Sequence, residues 1–82
     1  MARKLYLYTT LGCSLCEKAK LEIWPQLEQF RLQLQEVDIA EDPELLEHFA
    51  TQIPVVGLGD PRDVCIWPFD RAQLNDWLRQ RI

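Results

Sequence analysis

Apolar and polar residues alternate along the chain in short blocks that predict strands and helices in succession. The run 4–8 predicts a first strand, and residues 9–12 form a loop after it. Helical spacing then relates the apolar residues Leu15, Ala19, Ile23 and Leu27, with Cys16 and Trp24 beside them. These positions predict a first helix that begins near Ser14 and buries this stripe, while Glu17 and Gln26 lie on its polar side.

Pro25 interrupts this first helix. A proline lacks the backbone N–H and crowds the carbonyl four residues earlier, which here belongs to Leu21. We therefore expect a kink or an early stop near Trp24, or else one further turn as far as Phe30.

The middle of the chain predicts a second strand and a short helix. Residues 32–39 form the strand, and the interruption in their alternation is typical of an edge strand, with a bulge as the alternative. Asp42 followed by Pro43 is typical of a helix start, because the carboxylate caps free N–H groups and proline has none to satisfy. The helix over 44–49 is expected to bury Leu45, Leu46 and Phe49.

The C-terminal part predicts a hairpin followed by a helix. The hairpin strands are residues 53–58 and 64–67, separated by turn-forming residues. Asp70 with Gln73 forms a capping-box pattern, and the last helix is expected to bury Leu74, Trp77 and Leu78. The order β-α-β-α-β-β-α implies a parallel first pair, a right-handed crossover and a terminal hairpin. We therefore predict an α/β fold, a four-stranded mixed sheet with helices on both faces.

Composition is typical of a single globular domain. The 82 residues, of which 48% are hydrophobic, suffice for one domain over 1–82 with its own core. The net charge of −4 argues against a nucleic-acid partner and against an anionic membrane, since both require a basic face. The sequence shows no signal-peptide pattern and no apolar run near the roughly 20 residues of a membrane span. Three cysteines, an odd count, cannot form a closed disulfide framework, so we expect a cytoplasmic protein whose thiols are normally reduced. We also expect the protein to be a monomer.

Cys13 and Cys16 form a Cys-x-x-Cys pair at the junction between the first strand and the first helix. This spacing puts both sulfurs on one helical turn, where they can join in a small ring. Free N–H groups and the positive end of the helix dipole favour a thiolate on Cys13, and a thiolate is the attacking species in disulfide exchange. The pair therefore predicts a redox site in which Cys13 is the nucleophile and Cys16 the resolving thiol.

Several segments match one known family: residues 5–8, 12–16, 36–39 and 52–55, with the terminal hairpin and helix. On these segments the chain resembles the glutaredoxin-like family of the thioredoxin superfamily, in particular its short bacterial members. The resemblance implies a thioredoxin-like fold and thiol–disulfide oxidoreductase activity. It also implies that Pro54 follows a cis peptide bond and faces the dithiol, where the backbone of Ile53 pairs with an extended substrate. Trp67, beside the expected groove, and Asp70 are the further substrate-binding candidates.

Two departures from the glutaredoxin pattern bear on the partner. Glutaredoxins that use glutathione usually carry a Lys or Arg shortly before the dithiol, whereas residues 9–12 here are Thr-Thr-Leu-Gly. They also carry a Gly-Gly pair before the last helix, where this chain has Trp67, Pro68, Phe69 and Asp70. Asp70 then has two candidate roles, capping the helix or binding an ammonium group of a ligand. These departures predict that glutathione is a poor ligand. From the redox interpretation we expect no cofactor, and a protein or small-molecule disulfide as the substrate.

Two other interpretations of the cysteines stay open. A non-catalytic module, a redox sensor or protein-binding domain, would use the dithiol to switch a partner surface. A structural zinc site is the other, since Cys13, Cys16, Cys65 and His48 together make a ligand set that zinc accepts. Against zinc, Cys65 and His48 lie on separate predicted elements, and we expect Cys65 to be a small buried apolar residue.

Overall fold

A computed structural model describes residues 3–82, so Met1 and Ala2 of the predicted domain lie outside the described residues. The strands are β1 (Arg3–Thr9), β2 (Leu32–Asp38), β3 (Val55–Gly57) and β4 (Val64–Ile66). The helices are α1 (Ser14–Gln29), α2 (Pro43–Phe49) and α3 (Arg71–Arg79), with a 3-10 turn at Ile39–Glu41. This order confirms the predicted succession of elements. Within residues 3–82, no helix combines the length and the apolar character that crossing a membrane requires.

The strands form one mixed sheet in the order β2-β1-β3-β4. β1 and β2 pair in parallel from Arg3 opposite Leu32 to Thr9 opposite Asp38, and no residue is skipped. β3 pairs antiparallel with both β1 and β4. The predicted topology is therefore confirmed, and β2 is a regular edge strand without the alternative bulge.

Side chains of the central strands alternate between the two faces of the sheet. Leu5 and Leu7 of β1 are buried in a cluster with residues of α1 and α3. Tyr8 is buried on the opposite face, where its ring centroid lies 4.8 Å from that of Phe49 in α2. Because β1 is covered on both sides, helices pack on both faces of the sheet, as predicted.

The first helix continues through Pro25 to Gln29, so the expectation of an early stop is wrong and that of a further turn is confirmed. Pro25 is tolerated because Leu21, whose carbonyl loses its usual donor, is an exposed residue within reach of water. The predicted buried stripe is partly wrong. Trp24 is 57% exposed and Leu15 is also exposed. The stripe that packs on the sheet and on α3 is Cys16, Ala19, Ile23 and Gln26.

The other helices match their predicted starts but bury fewer side chains than expected. Asp42 caps α2, since its carboxylate accepts a hydrogen bond from the Glu44 N–H at 3.0 Å. The helix α2 has only seven residues, and of its apolar side chains only Phe49, at its C-terminal end, is fully buried. Leu45 is half-buried and Leu46 is exposed. In α3 the stripe is Leu74 and Leu78, with Trp77 half-buried.

Gln26 was expected on the polar side of α1, yet it is only 1% exposed. Its side-chain amide donates to the carbonyl of Arg71 at 2.9 Å and accepts from the side chain of Asn75 at 2.9 Å. Both partners lie on α3, so Gln26 joins the two helices that cover one face of the sheet. A buried amide is tolerated here because its donor and its acceptor atoms are both paired.

We expect Gln26→Ala to lower the free energy of unfolding by about 2 kcal/mol, because it removes two hydrogen bonds to α3 and empties part of a buried position. Gln29→Ala is the control, since exposed Gln29 accepts only a 3.2 Å hydrogen bond from the same Asn75. Gln29→Ala should lower the free energy of unfolding by less than about 0.5 kcal/mol. Denaturant unfolding of both variants measures the difference, and equal losses would contradict the role given to Gln26.

Candidate active site

The loop after β1 places the first cysteine at the start of α1. Gly12 has φ +78°, in the left-handed region that favours glycine, and turns the chain toward Cys13. A Cβ at this position would meet nothing within 4 Å, so the requirement for glycine is one of backbone conformation. Cys13 then has the extended backbone of an N-cap residue, with α1 beginning at Ser14. The predicted strand–loop–helix setting of the dithiol is thereby confirmed.

Cys13 and Cys16 are joined as a disulfide, with their Cα atoms 5.4 Å apart. The backbone N–H of Cys16 donates to the sulfur of Cys13 at 3.2 Å, the contact that an N-cap side chain makes with the third helical N–H. In the reduced protein the same N–H would point at the Cys13 thiolate, at the positive end of the helix dipole. The two sulfurs also differ in access, because Cys13 is half-buried and Cys16 is only 2% exposed.

An open cleft of about 610 Å³ lies beside the disulfide, between the loop after β1, the first two turns of α1 and the end of β2. Its lining combines the dithiol with loop hydroxyls, an apolar loop residue and charged side chains. The lining residues are Thr9, Thr10, Leu11, Gly12, Cys13, Ser14, Cys16, Glu17, Lys20, Glu36 and Asp38. A substrate in this cleft would meet both cysteines and a charged wall.

The charged wall contains one cation and several carboxylates. The ammonium group of Lys20 is paired with Glu36 of β2 and lies 3.4 Å from Glu17, one turn earlier on α1. The hydrogen bond with Glu36 is the main cause that raises the pKa of Lys20 above its usual value. Asp38 accepts a hydrogen bond from the N–H of Ala40 at 2.9 Å, which starts the 3-10 turn after β2. The lysine is therefore held by carboxylates on two separate elements.

Sequence reasoning missed this charged wall, although the sequence carried signals for it. Glu17 lies four residues after Cys13, and Lys20 lies four residues after Cys16 and three after Glu17, which puts these side chains on one side of α1. Glu36 lies two residues after Leu34 and four after Leu32, so its side chain is on the same face of β2 as theirs. Leu32 and Leu34 pack in the core cluster that includes residues of α1.

The predicted substrate-binding residues lie on either side of the β3–β4 hairpin, and β3 begins opposite Tyr8, next to the loop that carries the dithiol. The Ile53–Pro54 peptide bond is cis, and the carbonyl of Pro54 accepts a hydrogen bond from the N–H of Trp67 at 3.0 Å. Ile53 is half-buried and Pro54 is fully buried. Both precede β3, which is therefore shorter than the predicted strand over 53–58. None of Ile53, Pro54, Trp67 and Asp70 lines the cleft beside the disulfide. Their role in substrate binding stays a prediction.

Asp70 and Trp67 both make structural contacts. The carboxylate of Asp70 accepts from the N–H of Gln73 at 2.8 Å, and the Gln73 side chain accepts from the N–H of Asp70 at 2.9 Å. This is the predicted capping box, so of the two candidate roles of Asp70 the structure contains the helix cap. The ring of half-buried Trp67 packs edge-on against Phe69, with centroids 5.2 Å apart.

Cys65 and His48 do not join the dithiol. Cys65 lies in β4, partly packed against the core, and burial raises the pKa of its thiol above the usual value. His48 lies in α2, with its ring against Phe49. Within residues 3–82 no group of three or more His, Cys, Asp or Glu side chains is placed to hold a metal ion. The hypothetical zinc ligand set is therefore not brought together.

The mixed sheet with its three helices, and a Cys-x-x-Cys pair opening the first of them, define a protein of the thioredoxin-like class. The family model described as Glutaredoxin-like domain (DUF836) matches residues 4–79, and the chain belongs to this family. A comparison with curated proteins finds no match.

Solved structures agree with this assignment. The crystal structure of the target protein XcR50 from X. campestris superposes with a TM-score of 0.75 at 29% identity, over 95% of this chain and 99% of that one. The solution structure of XcR50 gives the same TM-score at 30% identity, over 100% and 97% of the two chains. A malarial protein shares the fold with a TM-score of 0.68 at 12% identity, over 100% and 99%.

If Asp70 acts as the cap of α3, Asp70→Ala should lower the free energy of unfolding by about 1 kcal/mol, because an N–H at the helix start loses its acceptor. Asp70→Asn keeps an oxygen at the same place and should change stability by less than about 0.5 kcal/mol, since Asn and Asp cap comparably. Thermal or denaturant unfolding of both variants tests this. A loss of equal size in Asp70→Asn would show that the negative charge, and not the cap, stabilises this end of the helix.

Proposed function

We propose that this protein is a thiol–disulfide oxidoreductase in which Cys13 is the nucleophile and Cys16 the resolving thiol. The observation that carries the proposal is the asymmetry of the two sulfurs. Both cysteines line the open cleft, but Cys13 is only half-buried and accepts a hydrogen bond from the N–H of Cys16, whereas Cys16 itself is only 2% exposed. An accessible sulfur at a helix start is suited to attack, and a shielded one a single turn away is suited to resolve the adduct.

The reaction runs in two exchange steps. The Cys13 thiolate attacks one sulfur of a substrate disulfide, a mixed disulfide forms, and the other substrate sulfur leaves as a thiolate that takes up a proton. Cys16 loses its proton and attacks the Cys13 sulfur, so that the mixed disulfide breaks and the second substrate thiol leaves. The substrate gains two electrons and the protein ends with the Cys13–Cys16 disulfide. A thiol reductant, which in the cytoplasm we expect to be abundant, then returns the pair to the dithiol.

The surroundings of the dithiol favour a protein or peptide disulfide as the substrate. Leu11, in the loop before Cys13, is 92% exposed, and Leu15, between the two cysteines, is exposed as well. Apolar side chains beside a reactive sulfur offer contact area to a polypeptide. The proposed groove residues Ile53, Pro54 and Trp67 would hold the extended chain of such a substrate from the other side.

Glutathione fits this site poorly. The only basic side chain that lines the cleft within residues 3–82 is Lys20, which already pairs with Glu36 and Glu17. The carboxylates of glutathione therefore lack a free cation beside the dithiol. The protein would act without a bound cofactor, as a monomer that meets its substrate and its reductant in turn.

The decisive test is a trapping experiment in a Cys65→Ser background, which leaves only the two cysteines of the pair. Cys16→Ser should accumulate mixed disulfides with substrate proteins in a cell extract, because Cys13 still attacks and nothing resolves the adduct. Cys13→Ser is the matched control and should trap no adducts, since Cys16 is shielded and lacks the same N–H donor. Non-reducing gels and mass spectrometry identify the adducts.

If both variants trap the same proteins equally, the assignment of nucleophile and resolving thiol is wrong. If neither variant traps any protein, and neither parent nor variant reduces a model disulfide, a non-catalytic module becomes the better description.

A further inference from the structure

The charges of the cleft beside the dithiol carry an inference about which disulfides the protein selects. Its ionisable lining, apart from the cysteines, consists of Glu17, Lys20, Glu36 and Asp38. At neutral pH this set has one positive and three negative charges. The wall is therefore acidic although a lysine lies within it.

Exposure decides which of these charges a ligand meets. The side chain of Lys20 is only 23% exposed, whereas its partners Glu17 and Glu36 are 75% and 49% exposed. The ammonium group is thus less accessible than either of the two carboxylates with which it pairs. Asp38 adds a further negative charge at the end of β2, and its side chain accepts a hydrogen bond from the N–H of Ala40. A ligand in the cleft meets carboxylates first.

The reacting sulfur lies within the same cleft, since Cys13 and Cys16 line it together with the charged side chains. Any charge that a substrate carries next to its disulfide is consequently brought close to this acidic wall. Two opposite unit charges about 4 Å apart in water attract each other by about 1 kcal/mol, which exceeds the thermal energy. Each carboxylate near the bound substrate adds to this attraction.

Resting on the proposed oxidoreductase function, we propose that the cleft selects disulfides with positive charge beside the reacting sulfur, as in a polypeptide whose cysteine is flanked by Lys or Arg. Exposed Leu11 on the same cleft provides an apolar contact for the aliphatic part of such a side chain. The chemistry is that of the exchange reaction above, with the cationic group acting only in binding.

The test compares two small disulfides of opposite charge, cystamine with its ammonium groups and dithiodipropionate with its carboxylates. The rate of oxidation of the reduced protein by each is divided by the rate of the same disulfide with dithiothreitol, which removes the intrinsic reactivity of the two compounds. The normalised ratio should favour cystamine by about tenfold at low salt, and it should fall as ionic strength rises, because exposed charges are screened.

Two double variants then locate the effect. Glu17→Gln with Glu36→Gln removes two charges from the cleft and should lower the preference for cystamine by at least about threefold. Glu22→Gln with Glu28→Gln is the matched control, since it removes the same amount of charge from positions on α1 that do not line the cleft. The control should leave the preference within about a factor of 1.5, because charges farther from the substrate are screened.

Equal normalised rates for the two disulfides, or an equal effect of the two double variants, would overturn the inference while leaving the oxidoreductase function intact. The salt dependence is measured on the unsubstituted protein, so the inference can fail even if a variant does not fold. If neither disulfide reacts faster with the protein than with dithiothreitol, the proposed function and the inference fall together.

Discussion

The hydrogen bond from the N–H of Cys16 to the sulfur of Cys13 is the contact on which the candidate site depends. It exists because α1 starts immediately after Cys13, and α1 starts there because Gly12 turns the chain out of β1 in a left-handed conformation. The helix is held in this position by the burial of Cys16, Ala19 and Ile23 against the sheet. Packing of the helix therefore fixes the geometry of the dithiol.

The same packing makes the two cysteines unequal. Cys16 is the first residue of the buried stripe of α1, so the helix that presents Cys13 to the cleft hides its partner. Helical spacing also carries Glu17 and Lys20 into the cleft, where Glu36 from the edge strand meets them. The reactivity and the charge of this site thus both follow from the packing of α1 beside the parallel strands β1 and β2.

Much of the fold could be predicted from the sequence, because the strands and helices carry strong local signals. The capping box of Asp70 with Gln73 and the cap of Asp42 need only a few neighbouring residues, and both are present. Which face of α1 is buried against the sheet could not be predicted from the sequence in the same way. Trp24 is apolar enough to suggest burial, whereas Gln26 is buried because Arg71 and Asn75 of the distant α3 satisfy it.

The dithiol could likewise be predicted, since the spacing of Cys13 and Cys16 specifies one helical turn. The charged wall of the cleft required the three-dimensional structure, because Lys20 and Glu36 come from separate elements that pack together only in the folded protein. For Asp70 the sequence left two roles open, and the hydrogen bonds of the capping box show that one of them, the helix cap, is present in the folded chain.

The central claim, that Cys13 is the accessible nucleophile and Cys16 its shielded partner, is tested most directly by alkylating the fully reduced protein at about pH 6.5, where an ordinary thiol is almost entirely protonated. Mass spectrometry of the quenched samples gives the rate at each cysteine. The account predicts that Cys13 is labelled at least about tenfold faster than Cys16 and Cys65, because its thiolate alone is stabilised at a helix start and its sulfur is the more accessible one of the pair. Labelling of Cys16 or Cys65 as fast as Cys13 would contradict it.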